Sequence, residues 1–246
     1  MLEHYFKHLN LNFSGWDFSY LTSTLRMHQA PLPWNYYVLA SQFIREAQTV
    51  LDLGTGGGEF LSTLPIENCT VYATERYKPN IDIAKQRLEP LHVTVFGLDE
   101  KEPIPLKESS VDLILSRHEA FEAHELFKLL KKDGVFVTQQ VGGHNNKEFY
   151  ELLETPPSKY RDYNNKDVAK QLVEAGLTVL KAEAIQTYTR FYDIAAVIYY
   201  LTALSFQFSN YGSEQFINGI KAIEGLINKQ GFFDVNCDRF IIVAKK

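Results

Sequence analysis

"VLDLGTGGGEF", residues 50–60, is a short apolar run carrying one acid, followed by a turn with four glycines in five positions and then a helix-like continuation. Glycine loses more backbone freedom on folding than any other residue, so a cluster of four marks a place where the chain must turn left-handed or approach something closely. A strand, a glycine turn and the start of a helix together aim backbone N–H groups at a ligand. The stretch therefore predicts an α/β domain with a binding site at the end of its first core strand.

The chain around it supports that class. Strand-like runs at 50–53, 70–74, 92–96, 111–116 and 134–141 alternate with helical stretches at 59–64, 81–88 and 120–130. Alternation of this kind predicts a parallel sheet covered by helices on both faces. Further on, "NNKDVAKQLVEAG" (164–176) has an Asn N-cap and a Gly stop. A sixth strand is expected at 177–184, and a seventh at 239–244 that returns beside it antiparallel. One domain is expected over 1–246: an N-terminal helical segment (1–47), a cofactor-binding core (48–186), a helical insertion or cover (187–231) and a terminal strand (232–246).

Composition narrows the classes. The 246 residues are 45% hydrophobic and 22% charged, ordinary for a globular protein. A net charge of −5 offers no electrostatic footprint for a nucleic-acid backbone. The first residues lack a signal-peptide core, and the longest apolar run, Ile194–Leu204, is far short of a membrane span. Cys69 and Cys237 have no metal spacing and suggest no disulfide framework. A cytoplasmic protein, monomeric or homodimeric, is expected, with no metal.

The glycine spacing then separates possible ligands. A dinucleotide fingerprint needs glycines at its first, third and sixth positions, which here are Gly54, Gly56 and Glu59. The sixth fails, and a carboxylate there repels a pyrophosphate. The pattern present, Gly54-Thr55-Gly56-Gly57-Gly58 preceded by Asp52, suits a cationic ligand such as S-adenosylmethionine. "CTVYATER" ends in Glu75, at the tip of the second strand, where a carboxylate accepts hydrogen bonds from both ribose hydroxyls. Arg76 follows it.

"GLDEKEPIPLKESSVDLILSRHEAF" (97–121) resembles the third-to-fourth-strand region of class I, Rossmann-like S-adenosylmethionine-dependent methyltransferases with a type 11-like domain. Ile104-Pro105-Leu106 stands in that family's Leu-Pro-Phe place, Val111-Asp112-Leu113 in its Phe-Asp place, and Lys132-Asp133-Gly134 in the turn before strand five. The resemblance covers residues 36–141. It implies a seven-stranded sheet with an antiparallel last strand, and S-adenosyl-L-methionine as cofactor. Asp52, Gly54 and Gly56 would meet its methionine part, with Thr55 and Gly58 in the same turn. Glu75, with Arg76, would hold the ribose. Asp99 or its neighbour Glu100 would meet the adenine, Asp99 being favoured, and Ser116 and Arg117 would lie under the methyl-transfer site.

Catalytic candidates are few. His118 directly follows the fourth strand, where active groups of open α/β sheets gather, though a helix-start histidine with a structural hydrogen bond is the plainer reading of the sequence. Arg117 is the second candidate. Gln139 and Gln140 interrupt an apolar strand, and one of them must face inward. The acceptor pocket is expected from Trp34, Tyr36, Gln140, His144, Tyr199 and Tyr200, with a small-molecule acceptor bearing an apolar or aromatic part. An RNA base methyltransferase and a non-catalytic cofactor binder are the alternatives. A nicotinamide oxidoreductase is disfavoured by Glu59.

Overall fold

A computed structural model describes residues 18–99 and 102–246. The described elements are α1 (Ser19–Ser23), β1 (Met27–Gln29), α2 (Tyr36–Ile44), β2 (Thr49–Leu53), β3 (Thr70–Glu75), α3 (Lys78–Leu88) and β4 (Val93–Gly97). They continue with β5 (Val111–Arg117), α4 (Ala123–Leu129), β6 (Leu130–Val141), α5 (Lys147–Leu152), α6 (Asn165–Glu174) and β7 (Thr178–Phe191). α7 (Ile194–Ala203), α8 (Glu214–Gln230) and β8 (Phe233–Lys245) complete the chain.

The strands form one sheet in the order β1-β7-β8-β6-β5-β2-β3-β4. β6, β5, β2, β3 and β4 are parallel; β8 runs antiparallel to both β6 and β7, as the sequence predicts for its last strand. Val50, Leu51, Leu53, Leu113, Ile114 and Leu115 are all buried because helices cover both faces of these central strands. One apolar cluster joins α2 to one face through Tyr36, Ala40 and Ile44. Another joins α4 and α6 to the opposite face through Leu126, Leu129, Val168 and Leu172.

The helices start where their caps allow. Asn35 Oδ1 accepts from Val38 N–H, Asn164 Oδ1 from Lys166 and Asp167 N–H, and Asp193 Oδ1 from Ala196 N–H. Asp193 also pairs with Arg26 at 2.6 Å, tying the N-terminal segment to the start of α7.

Three expectations change. The N-terminal segment is not wholly helical: Met27–Gln29 pairs antiparallel with Thr189–Phe191 and makes an eighth, edge strand. The helix expected at 59–64 shrinks to a single 3₁₀ turn, Leu61–Thr63, because Pro65 follows at once and helices end before proline. β7 and β8 are longer than expected, so residues 187–191 belong to β7 rather than to the helical cover.

That lengthening shapes the site. β6 pairs with β8 only as far as Val141↔Arg239, whereas β7 and β8 stay paired to Phe191↔Phe233. The two strands thus project beyond the carboxyl edge of the parallel sheet. α5, α7 and α8 pack on this projection through Phe149, Val197, Leu201, Phe216 and Ile223.

Candidate active site

The sheet order reverses at β2, which lies between β3 and β5, and the crevice at such a reversal is where open α/β sheets bind ligands. Leu53 is paired with Ser116, so the glycine turn after β2 and the Ser116–Glu119 turn after β5 face each other across it.

Gly54, Gly56 and Gly58 all take positive φ (62°, 65° and 80°), the left-handed conformation that favours glycine. The turn is closed by its own amides. Gly54 N–H donates to Thr74 Oγ1 (3.3 Å), Thr55 N–H to the Thr74 carbonyl (2.9 Å), Gly56 N–H to Glu75 Oε2 (2.7 Å) and Gly58 N–H to the Thr55 carbonyl (3.0 Å). These amides are therefore committed within the protein rather than presented to a phosphate. The single 3₁₀ turn that follows lacks the dipole of a longer helix.

Glu59 has a different role from the one expected. Its Oε1 pairs with Arg87 Nη1 at 2.5 Å, and the same guanidinium donates to the Gly57 carbonyl. The charge is neutralised, so the argument against a pyrophosphate rests on the occupied amides of Gly54, Thr55, Gly56 and Gly58 and on the missing helix rather than on Glu59. The acids facing the turn are instead Asp52, Glu75 and Glu119.

Asp52 is buried, and burial raises its carboxyl pKa to about 7, with the Thr55 hydroxyl and Arg117 opposing the shift and the Glu75 charge adding to it. Glu75 is buried too, and its carboxyl is raised by burial despite accepting N–H bonds from Tyr77 (2.7 Å), Gly56 (2.7 Å) and Arg76 (2.9 Å). Glu119 was not singled out by the sequence. Its side chain packs so closely on Gly54 that a Cβ there would lie 2.3 Å from Glu119 Cγ. Burial raises its carboxyl to about 7, reinforced by Glu75 and opposed by Arg76.

The remaining expected cofactor residues are distributed as follows. Arg76 donates to the carbonyls of Asp99 and Glu102, bracing the loop after β4. Asp99 is exposed at the carboxyl end of that strand, 3.6 Å from Lys78 Nζ, and Glu100 lies outside the described residues. Ser116 is buried; its hydroxyl donates to the Glu119 carbonyl (3.2 Å) and fixes the turn after β5.

A cavity of about 480 Å³ opens beside this turn, walled by Trp34, Tyr36, Phe60, Arg117, His118 and Gln139. The Tyr36 hydroxyl lies 3.2 Å from both the Ser116 and Val137 carbonyls, and burial pushes its phenol pKa upward, so it stays protonated. Trp34 Nε1–H donates to Gln139 Oε1 (2.8 Å), and Gln139 Nε2 lies 3.1 Å from His118 Nε2. An indole N–H is a donor only, so it fixes the amide with its NH₂ toward His118. His118 Nε2 must then accept, which leaves the imidazole neutral with its proton on Nδ1. Loss of hydration in the cleft lowers the His118 pKa well below its ordinary value, and Arg239 and Arg117 reinforce the shift.

Of the six expected pocket residues, the structure brings only Trp34 and Tyr36 into this cavity. Gln140 points to the other face, where its Nε2 donates to the Glu119 carbonyl (2.8 Å) and Thr138 Oγ1 (2.8 Å); Gln139 takes the inward position. His144 lines a separate cavity with Arg161, Tyr163 and Asp238. Tyr200 is buried among Phe149, Phe191 and Phe18 with its hydroxyl on Asn146, and the Tyr199 ring packs 5.6 Å from Tyr20. The cover therefore packs its apolar helix against the β7–β8 projection and α1, not over this cavity. Among the described residues, no group of three His, Cys, Asp or Glu side chains is placed to hold a metal ion.

The donor set fits S-adenosylmethionine. Thr55 is buried with its hydroxyl beside the Asp52 carboxyl, three carboxyls surround the turn, and Gly54, Gly56 and Gly58 hold it in a left-handed conformation. Such a surface favours a sulfonium and an ammonium over a phosphate.

Solved structures share the fold. A functionally unknown protein from Deinococcus radiodurans R1 superposes with a TM-score of 0.64 at 13% identity, covering 89% of this chain and 90% of that one. The YcgJ protein from Bacillus subtilis gives 0.57 at 12% identity, covering 86% and 97%. A geranyl diphosphate methyltransferase, solved with GPP and sinefungin, gives 0.50 at 12% identity, covering 85% and 77%. No curated protein is significantly similar in sequence. Residues 44–192, more than half of the chain, match the family described as a methyltransferase domain. The chain belongs to this family of class I methyltransferases, and S-adenosyl-L-methionine is its cofactor.

Proposed function

We propose that the protein transfers a methyl group from S-adenosylmethionine to a small molecule with an apolar or aromatic part. The observation that carries this reading is the cavity of about 480 Å³ between Trp34, Tyr36 and Phe60 on one side and Arg117 and His118, at the carboxyl end of β5, on the other. Its size suits a small ligand. Its aromatic walls offer an apolar surface to a ligand, and it opens beside the turn after β5.

S-adenosylmethionine supplies an electrophilic methyl on a sulfonium. The protein's contribution is to hold that cation against Asp52, Glu75 and Glu119, with Glu75 accepting from the ribose and Asp99 or Glu100 near the adenine. It also orients an acceptor against Trp34 and Phe60, and such positioning supplies much of the rate of an in-line transfer. His118, neutral at physiological pH, can receive a proton at Nε2 from an acceptor hydroxyl that takes the place of the Gln139 amide. The proposal includes a cytoplasmic location, which fits two free thiols at Cys69 and Cys237, and a monomer or homodimer.

Among the described residues, no helix is long and apolar enough to cross a membrane. Release of S-adenosylhomocysteine, measured against a panel of aromatic and apolar hydroxy, amino and carboxy compounds and against total RNA, tests the reading. Turnover with members of the small-molecule panel is expected. Turnover with RNA alone would replace it by RNA base methylation.

A further inference from the structure

The same cavity holds two guanidinium groups that no anion meets. Arg117, at the end of β5, stands over the Phe60 ring with its Cζ 4.8 Å from the centroid. It is paired with no carboxylate within 4 Å among the described residues. Arg239, on β8, also lines the cavity and is only 8% exposed. Its Nη1 donates to Asn145 Oδ1 (2.6 Å) and to the Asp238 carbonyl (2.8 Å), both uncharged acceptors.

Two like charges sharing one partly desolvated cavity repel each other, and a buried charge without a counter-ion is unfavourable. The repulsion registers on Arg117 and on His118: burial lowers the pKa of Arg117 most and Arg239 adds to it, against Tyr36 and Asp52, and after burial both guanidinium groups lower that of His118. The carboxyl that feels Arg117 is Asp52, whose pKa burial raises to about 7, so it offers only a partial counter-charge near neutral pH. His118, whose pKa is lowered well below its ordinary value, brings no counter-charge to either guanidinium. The cavity therefore presents an excess of positive charge against aromatic walls. A guanidinium fork matches a carboxylate or phosphate in charge and geometry.

We propose that the methyl acceptor is an anion, a small molecule whose carboxylate or phosphate group is held between Arg117 and Arg239 while its apolar body lies against Trp34 and Phe60. This rests on the reading of the cavity as the acceptor site. It narrows the acceptor class to acids and phosphate esters with an apolar part.

Benzoate, phenyl phosphate and uncharged benzyl alcohol serve as probes, with ligand-detected NMR and Trp fluorescence as readouts on the whole protein. At least one anion is expected to bind saturably, and the better of the two identifies the group. Benzyl alcohol should bind about tenfold more weakly or worse. Arg117→Gln, at an exposed side chain with no hydrogen bond to lose, should weaken the bound anion by about tenfold. Arg239→Lys, which keeps a charge at a buried position, should weaken it less than Arg239→Gln.

Benzyl alcohol binding as tightly as the anions, unchanged anion binding in Arg117→Gln, or no binding of either anion would each overturn the proposal. S-adenosylhomocysteine titrated into the same preparations reports separately on the cofactor. Its failure to bind while the anion remains sensitive to Arg117→Gln would remove the methyl-transfer reading and leave the anion site standing.

Discussion

The backbone N–H of Gly56 donates to Glu75 Oε2 at 2.7 Å, locking the turn after β2 to the tip of β3. The carboxylate proposed to receive the ribose thus already braces the glycine turn, and it also accepts from the N–H groups of Arg76 and Tyr77. Glu75→Ala should weaken S-adenosylmethionine about 30–150-fold, the equivalent of about 2–3 kcal/mol. The melting temperature should fall as well, because three N–H groups lose their acceptor. Calorimetry and thermal unfolding check this; an unchanged dissociation constant would move the ribose site elsewhere.

Gly54 and Glu119 are in contact, and a side chain at 54 meets both an unfavourable φ of 62° and the Glu119 Cγ. Gly54→Ala is expected to destabilise the protein by roughly 1–3 kcal/mol. Gly54→Ala combined with Glu119→Ala should recover the steric part and leave the conformational part. Strictly additive effects in the double-mutant cycle, measured by denaturant unfolding, would show that the two side-chain positions do not touch.

The carboxyls of Asp52 and Glu119 both titrate near 7. Each is neutral below that value and anionic above it, so a cationic ligand gains partners as pH rises. S-adenosylmethionine affinity should therefore increase between about pH 6 and pH 8, and more steeply than that of S-adenosylhomocysteine, which lacks the sulfonium charge. For stability the sign is opposite. Between about pH 4 and 7 the folded chain keeps a proton on Asp52 that the unfolded chain has lost, so the free protein loses stability across that window. Asp52→Asn should accordingly stabilise the free protein at pH 8 by roughly 2–4 kcal/mol and give no such gain near pH 4, while weakening the cofactor. Parallel stability curves for the two proteins would contradict this.

Trp34 acts on His118 through Gln139, and its removal frees the amide to turn over. Trp34→Phe keeps the aromatic wall but loses the donor. It should lower kcat about tenfold and leave the cofactor dissociation constant within a few-fold. A loss of cofactor affinity equal to the loss of turnover would assign Trp34 to the cofactor site.

The parts of the site that are local in sequence are legible there. Gly54, Gly56, Gly58 and Glu75 announce themselves because a left-handed turn and a strand-tip acid have few substitutes, and Asn164 and Gly176 mark helix ends for the same reason. The parts made by long-range packing are not. Gln139 rather than Gln140 faces the cavity because strand parity flips with a single residue, and the apolar neighbours on both faces of β6 give no parity signal. Glu119 reaches Gly54 only because Leu53 and Ser116 are paired across β2 and β5. Arg239 arrives from β8, inserted between β6 and β7, and Arg87 neutralises Glu59 from α3; both depend on tertiary placement. The apolar helix containing Tyr199 and Tyr200 does require burial on two sides, but its second surface is the β7–β8 projection and α1, which no periodicity reveals.

Calorimetric titration of the whole protein with S-adenosylmethionine, and separately with NAD, is the most direct test of the cofactor site built on the Asp52–Gly58 turn. Saturable, one-to-one binding of S-adenosylmethionine that is weakened in Glu75→Ala, with no binding of NAD, is the result predicted. NAD binding more tightly than S-adenosylmethionine would contradict it.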